Sequence, residues 1–183
     1  ATGRENAEAA ERTAMDIWYS EQHQGHHGHT EISRGELLAG FESPIRAERV
    51  RIAALKAGLG TVHTPPDAGL APILAVHDEA YVTFLRGAWE AWRALGRSHP
   101  ALPMIWHAGQ GLPRVLPRHI DGQLGCFSFD GGSAIVEGTW SAAYWSAQCA
   151  IAGARSLLAG SPAAFALCRP PGHHAAAALM GGY

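Results

Sequence analysis

The sequence predicts an α/β fold, with helices layered against buried parallel strands. Two observations carry that expectation. Segments with apolar residues at helical spacing alternate with apolar runs too short for helices, at residues 15–20 (MDIWYS) and 163–168 (AAFALC). The second run is apolar without interruption, as a parallel strand covered on both faces would be.

Composition narrows the function classes. The chain has 183 residues, 47% hydrophobic and 16% charged, which suits one domain with a sizeable core. Six Trp, five Phe and four Tyr exclude intrinsic disorder. A net charge of −2 removes any general case for nucleic acid or an acidic membrane as partner. No segment approaches the ~20 apolar residues of a membrane-spanning helix, and the opening residues hold no apolar signal core. Cys126, Cys149 and Cys168 are odd in number and widely spaced, as reduced thiols of a cytoplasmic protein would be.

Taken in order, residues 1–14 are polar and Ala/Glu-rich and read as an extension, and residues 15–183 carry the folded part. Residues 15–20 form the first strand, and residues 21–42 read as a long His- and Gly-bearing loop. Ser43 and Pro44 supply an N-cap and a first helical position, and Gly58 or Gly60 supplies the stop. In that helix Arg46 falls on one stripe with Val50, Ala53, Ala54 and Ala57, so it either faces the interior or snorkels outward. A second helix runs from Asp78 to about Leu95, with a stripe of Tyr81, Phe84, Leu85, Ala88, Trp92 and Leu95. Residues 96–121 contain Pro100, Pro103, Pro113 and Pro117 and read as a surface excursion. A third helix starts at Thr139 and ends before Gly160, striped by Trp140, Ala143, Tyr144, Ala147, Ile151, Ala154 and Leu158.

The sharpest chemical signal is Arg169-Pro170-Pro171-Gly172-His173-His174, directly after the second apolar run. Catalytic groups of α/β sheets sit outside the carboxyl ends of strands. Two prolines stiffen the backbone, Gly172 allows a tight turn, and paired imidazoles suit proton transfer near neutral pH. The alternative is a Pro-Gly turn whose histidines only satisfy local hydrogen bonds.

RPPGHHA after an apolar strand closely resembles the signature of the histone deacetylase superfamily. Val76-His77-Asp78-Glu79-Ala80-Tyr81-Val82 resembles its VHxxxYV element, and MGGY at residues 180–183 matches the element after the His pair. FESPIRAERV (41–50), IDGQLG (120–125) and GTW (138–140) look like its acetylpolyamine amidohydrolase branch. The resemblance runs in order from about Met15 to the last residue.

It implies the arginase–deacetylase fold and a zinc-dependent hydrolase that removes acetyl groups from acetylated polyamines, acetyl-lysine-like amines or related acyl-amines. It implies that His174 is the principal general base and His173 its charge-stabilising partner, with Tyr183 and Gly182 against the substrate. Asp121 matches an acidic position of the polyamine-active branch, and Asp130 is a rim residue on looser alignment; for both, the alternative is an Asx turn. Gly132 stands where a second acidic residue would be expected, a departure from that branch. A homodimer is also implied. The family's zinc ligands, an Asp-x-His pair and a later Asp, follow the GGY element, as does its oxyanion-stabilising Tyr. No Asp-x-His triplet occurs in the chain. The sequence therefore reads as the N-terminal half of such an enzyme, a fold incomplete at its C-terminal side and inactive alone, with the zinc ligands beyond residue 183.

Other candidates read more plainly. His23, His26, His27 and His29 crowd into HQGHHGH without a carboxylate or thiol at ligand spacing, and are expected on a solvated loop. Cys168 is expected to be an inert core thiol, and His77 and His119 structural hydrogen-bonders. Two competing functions remain: a non-catalytic acyl-amine binding module, and a hydrolase pairing the histidines with Cys168.

Overall fold

The computed structural model describes residues 14–28, 30–106 and 115–182. Ala14 is thus the one residue of the expected N-terminal extension within the description, and Tyr183 lies outside it. In chain order the elements are β1 (Met15–Trp18), a 3₁₀ turn (Glu21–Gly25), β2 (Thr30–Ser33), β3 (Glu36–Ala39), α1 (Pro44–Lys56), β4 (Gly60–His63), α2 (Ala71–Leu74), α3 (Glu79–Ala94), α4 (Ile120–Phe127), α5 (Thr139–Leu158) and β5 (Ala164–Ala166). The arrangement is the expected parallel sheet flanked by helices. No described helix is long and apolar enough to cross a membrane.

The sheet has the order β4-β1-β5, parallel throughout. Central Ile17 pairs with Val62 on one side and Phe165 on the other, and is fully buried. β5 is only half-buried, not covered on both faces as its sequence suggests, because it is an edge strand of this sheet. β4 is absent from the sequence reading: GTVH is short and opens on glycine. That glycine is required, since a Cβ on Gly60 would lie 1.9 Å from the Met15 carbonyl oxygen.

The expected loop over residues 21–42 is largely ordered. It holds the 3₁₀ turn and the antiparallel β2–β3 hairpin, closed by Arg34 and Gly35, both at positive φ. Arginine is an unusual residue for that backbone, so the turn signal is weak. The described parts of residues 96–121 are likewise tied into the core: Ala101 bridges Ile135 with both buried, Pro103 is fully buried, and α4 begins at Ile120.

α3 buries Tyr81, Phe84, Ala88 and Trp92 as its stripe predicts, whereas Leu95 is exposed. These side chains meet Ile120, Leu124 and Phe127 of α4 in the main apolar cluster, where Phe84 stacks on Phe127 at 4.8 Å. α5 departs from expectation. The face it buries carries mostly small residues, Ala142, Cys149, Ala152 and Gly153, where the helix lies close to the sheet, together with fully buried Gln148, which bonds the backbone of Ala68 and Gly69. A Cβ on Gly153 would already touch Trp18, Ala164 and Ala166. The anticipated stripe of Trp140, Ala143, Tyr144, Ala147 and Ile151 instead lines a cavity of about 440 Å³. In α1 the buried residues are Ala47 and Ala54, and Val50 is exposed.

Candidate active site

Strand ends deliver the site. After β1 the chain turns through Tyr19, Ser20 and the 3₁₀ segment; after β5 it runs through Cys168 and Arg169 to His173 and His174. Ser20 caps the 3₁₀ segment, accepting from the Gln22 N–H at 3.3 Å.

Arg169 joins these segments. It is 3% exposed, and all three guanidinium nitrogens are used. Nη1 donates to the His23 carbonyl at 2.5 Å, Nη2 to the His26 carbonyl at 2.7 Å, and Nε to Glu42 Oε1 at 3.2 Å. Glu42 Oε2 lies 2.9 Å from Nη2, and Glu42 is also buried. A buried arginine is tolerated only with its charge paired and its donors satisfied, and here both hold. From sequence, Arg169 is only the first residue of the motif, with no anchoring role marked. The available signal was a cation immediately after an apolar strand, which must find an anion wherever that strand is covered.

The histidine-rich segment is not solvated as expected. His23 and His26 are 3% and 4% exposed, while His27 is exposed and His29 lies outside the described residues. His26 Nδ1 shares a 2.9 Å hydrogen bond with the Thr139 hydroxyl. The Tyr19 hydroxyl donates to Glu48, so its oxygen is left to accept from His23 Nε2 at 2.9 Å. His23 Nδ1 is buried without a hydrogen-bond partner. Burial depresses the His23 pKa, with the Glu48 hydrogen bond opposing it, and pushes the Tyr19 pKa up to about 12.

Beyond Arg169 the loop turns outward. The Pro170 carbonyl accepts from the Ser146 hydroxyl at 3.1 Å, and the Ala175 N–H donates to the Gly172 carbonyl at 3.0 Å. His77 bonds the Ala176 carbonyl through Nδ1 at 3.1 Å, and the Asp78 N–H donates to Ala177, so His77 is structural as anticipated. His119 stands at the N-cap position of α4. The imidazoles of His173 and His174 lie side by side at 4.2 Å between centroids, both on exposed residues. Phe129 approaches His174 edge-on at 6.4 Å.

The remaining candidates separate. Gly182 packs beneath His174, and its N–H donates to Asp130 Oδ2 at 2.5 Å. Asp130 forms the anticipated Asx turn as well, accepting from Gly132 and Ser133. Asp121 sits in the first turn of α4, half-exposed, with its carboxylate paired to Arg97 at 2.5 Å. That pairing holds its carboxyl below the usual range. Arg46 snorkels: its side chain is 59% exposed, 3.7 Å from Glu42. Cys168 borders the cavity, but its thiol points at the Ser146 carbonyl and burial raises its pKa, which disfavours a nucleophile. All three cysteines are free. Among the described residues no group of three or more His, Cys, Asp and Glu could hold a metal ion.

Comparison with known proteins agrees with this geometry. Residues 41–183 match the histone deacetylase domain. The chain is 48% identical over 165 residues to acetylpolyamine amidohydrolase 2 of Pseudomonas aeruginosa, covering 90% of this chain and 48% of that protein. It is 42% identical over 169 residues to the acetylpolyamine amidohydrolase of Mycoplana ramosa, covering 92% and 49%. The crystal structure of an acetylpolyamine aminohydrolase from Burkholderia pseudomallei superposes with a TM-score of 0.83 at 39% identity, over 92% of this chain and 48% of that one. The chain spans about half the length of the curated relatives it matches.

Proposed function

The chain belongs to the histone deacetylase domain family, and on that premise we propose that it forms the acid/base half of a hydrolytic deacetylase acting on acetylated polyamines or acetyl-lysine-like amines. The observation that carries this reading is the placement of His173 and His174, rings 4.2 Å apart, on a loop anchored by Arg169 at the carboxyl end of a parallel strand. His174 accepts a proton from the water attacking the amide carbonyl and returns it to the departing amine nitrogen. His173, its ring 4.2 Å from that of His174, is the partner beside which the charge on His174 forms. The loop's fixed ends keep both rings oriented without reorganisation during turnover.

Zinc is the metal the family implies. The described residues supply no set of ligands that fits it, so no step here runs through it. We place its ligands, together with the oxyanion-stabilising Tyr, in polypeptide beyond residue 183, in keeping with relatives twice as long. The same reading makes the enzyme a homodimer; Leu37, Phe41 and Ile45 are large apolar residues left exposed in this chain. Tyr183 is carried over as a substrate contact on the family resemblance alone.

The test uses polypeptide extended to the length of the relatives. His174→Ala is expected to lower turnover of a monoacetylated diamine by about 10²- to 10⁴-fold with bound zinc unchanged. Turnover like that of the wild type overturns the base assignment. One zinc retained per chain by residues 1–183 after dialysis overturns the placement of the ligands.

A further inference from the structure

We infer that Asp130 is a positioning residue that sets His174 through Gly182, and not a group that receives the substrate's amine. Its carboxylate is occupied by the backbone. Oδ1 accepts from the N–H groups of Gly132 at 3.0 Å and Ser133 at 3.2 Å, and Oδ2 accepts from Gly182 at 2.5 Å. The backbone carbonyl of Asp130 accepts from the Ser128 hydroxyl at 2.9 Å, which stiffens the same turn.

Residues 180–182 are thereby clasped to the segment that follows α4. Ser128 and Met180 form a parallel bridge, the Met180 N–H donates to Phe127 at 2.8 Å, and the Phe129 N–H donates to Met180 at 3.1 Å. The carboxylate of Asp130 extends this ladder by one rung, to Gly182. At the far end of the clasp, the imidazole of His174 rests on Gly182. A Cβ there would lie 2.3 Å from His174 Cδ2, and φ is +100°, so only glycine lets the ring settle at this depth. Phe129 closes the other side, with its ring against Gly181 and edge-on to His174. Loss of the Asp130 bond frees Gly182, and with it the surface that supports His174. A carboxylate already accepting three N–H groups has little capacity left for a cationic ligand.

The role in turnover rests on the proposed function above, so the experiment has a readout that does not. In the extended polypeptide, the Gly182 amide proton is expected at low field, as in short hydrogen bonds to carboxylates, and Asp130→Asn is expected to move it upfield with resonances of the β1 sheet unchanged. The same variant is expected to lower kcat for a monoacetylated diamine roughly 10- to 100-fold with KM within about twofold, the signature of a misplaced base. Gly182→Ala is expected to reproduce the kcat loss, and the double variant to be no slower than the worse single one, because both act on one contact. A raised KM with kcat unchanged, restored for an acetamide lacking a second amine, would assign Asp130 to the substrate and overturn the inference. An unmoved Gly182 amide, or additive losses in the double variant, overturns it as well. An inactive wild-type enzyme counts against the function proposed above, while the amide shift still decides the clasp.

Discussion

Arg169 and His174 belong to one short loop and to one sequence motif, yet they live in opposite surroundings. Arg169 is sealed among two carbonyls and Glu42, with each nitrogen paired. The His pair stands exposed at the loop's outer end, its rings against each other, Phe129 and Gly182. The buried end is stabilised by a partner for every guanidinium nitrogen; the exposed end leaves its imidazoles open to solvent. One motif thus holds a buried anchor and an exposed imidazole pair, separated by a stiff Pro-Pro-Gly spacer.

If that division holds, the largest effect on stability comes from the anchor. Arg169→Met is expected to cost about 3–5 kcal/mol in urea unfolding, since it strands Glu42 and two carbonyls without donors. A loss below ~1 kcal/mol would show that the pair is not buried as described. Converting Glu42 to leucine in the same chain is expected to recover part of the loss, because the stranded charge goes with it.

Acid sharpens the comparison next. The His23 pKa is depressed below its ordinary 6.5 by burial, so the unfolded chain binds that proton more readily than the folded one. Stability from this group is complete above about 6.5 and is lost as pH falls from there toward the depressed value. The Glu48 carboxyl is held below 4.5, chiefly by the Tyr19 hydroxyl, so its contribution disappears only at lower pH. Unfolding free energies measured across pH 5–7 should fall with acid in the wild type and flatten in His23→Gln. Equal slopes in the two proteins would refute the depressed value.

The smallest stability effect belongs to the exposed end. His173→Ala and His174→Ala are each expected to shift unfolding by no more than about 0.5 kcal/mol, although His174 is the residue proposed as the general base. A loss as large as that of Arg169 would erase the distinction between buried anchor and exposed pair.

Helices were legible where one face dominates. The α3 stripe and the Ser43-Pro44 start of α1 follow from periodicity and capping alone. α5 was legible as a helix but not in its orientation: it is apolar on two sides, and only contact with the sheet selects the side with small residues. β4 and the β2–β3 hairpin escaped because four-residue strands carry too little pattern, and the hairpin turn uses Arg34. The His pair was readable because chemistry marks it. Phe129 carried no mark, since an aromatic residue in a Gly-rich segment reads as packing.

The sequence by itself determined the fold class, the three long helices, the family and the identity of the paired imidazoles. Each of these is written in local residue order, in hydrophobic periodicity or in a contiguous motif. Tertiary structure alone decided that Arg169 reaches Glu42, that His23 and His26 are buried, and that Asp130 holds Gly182. These partners are joined by folding across long stretches of chain. Burial of a charge or an imidazole depends on which distant segments close over it, and no local pattern records that.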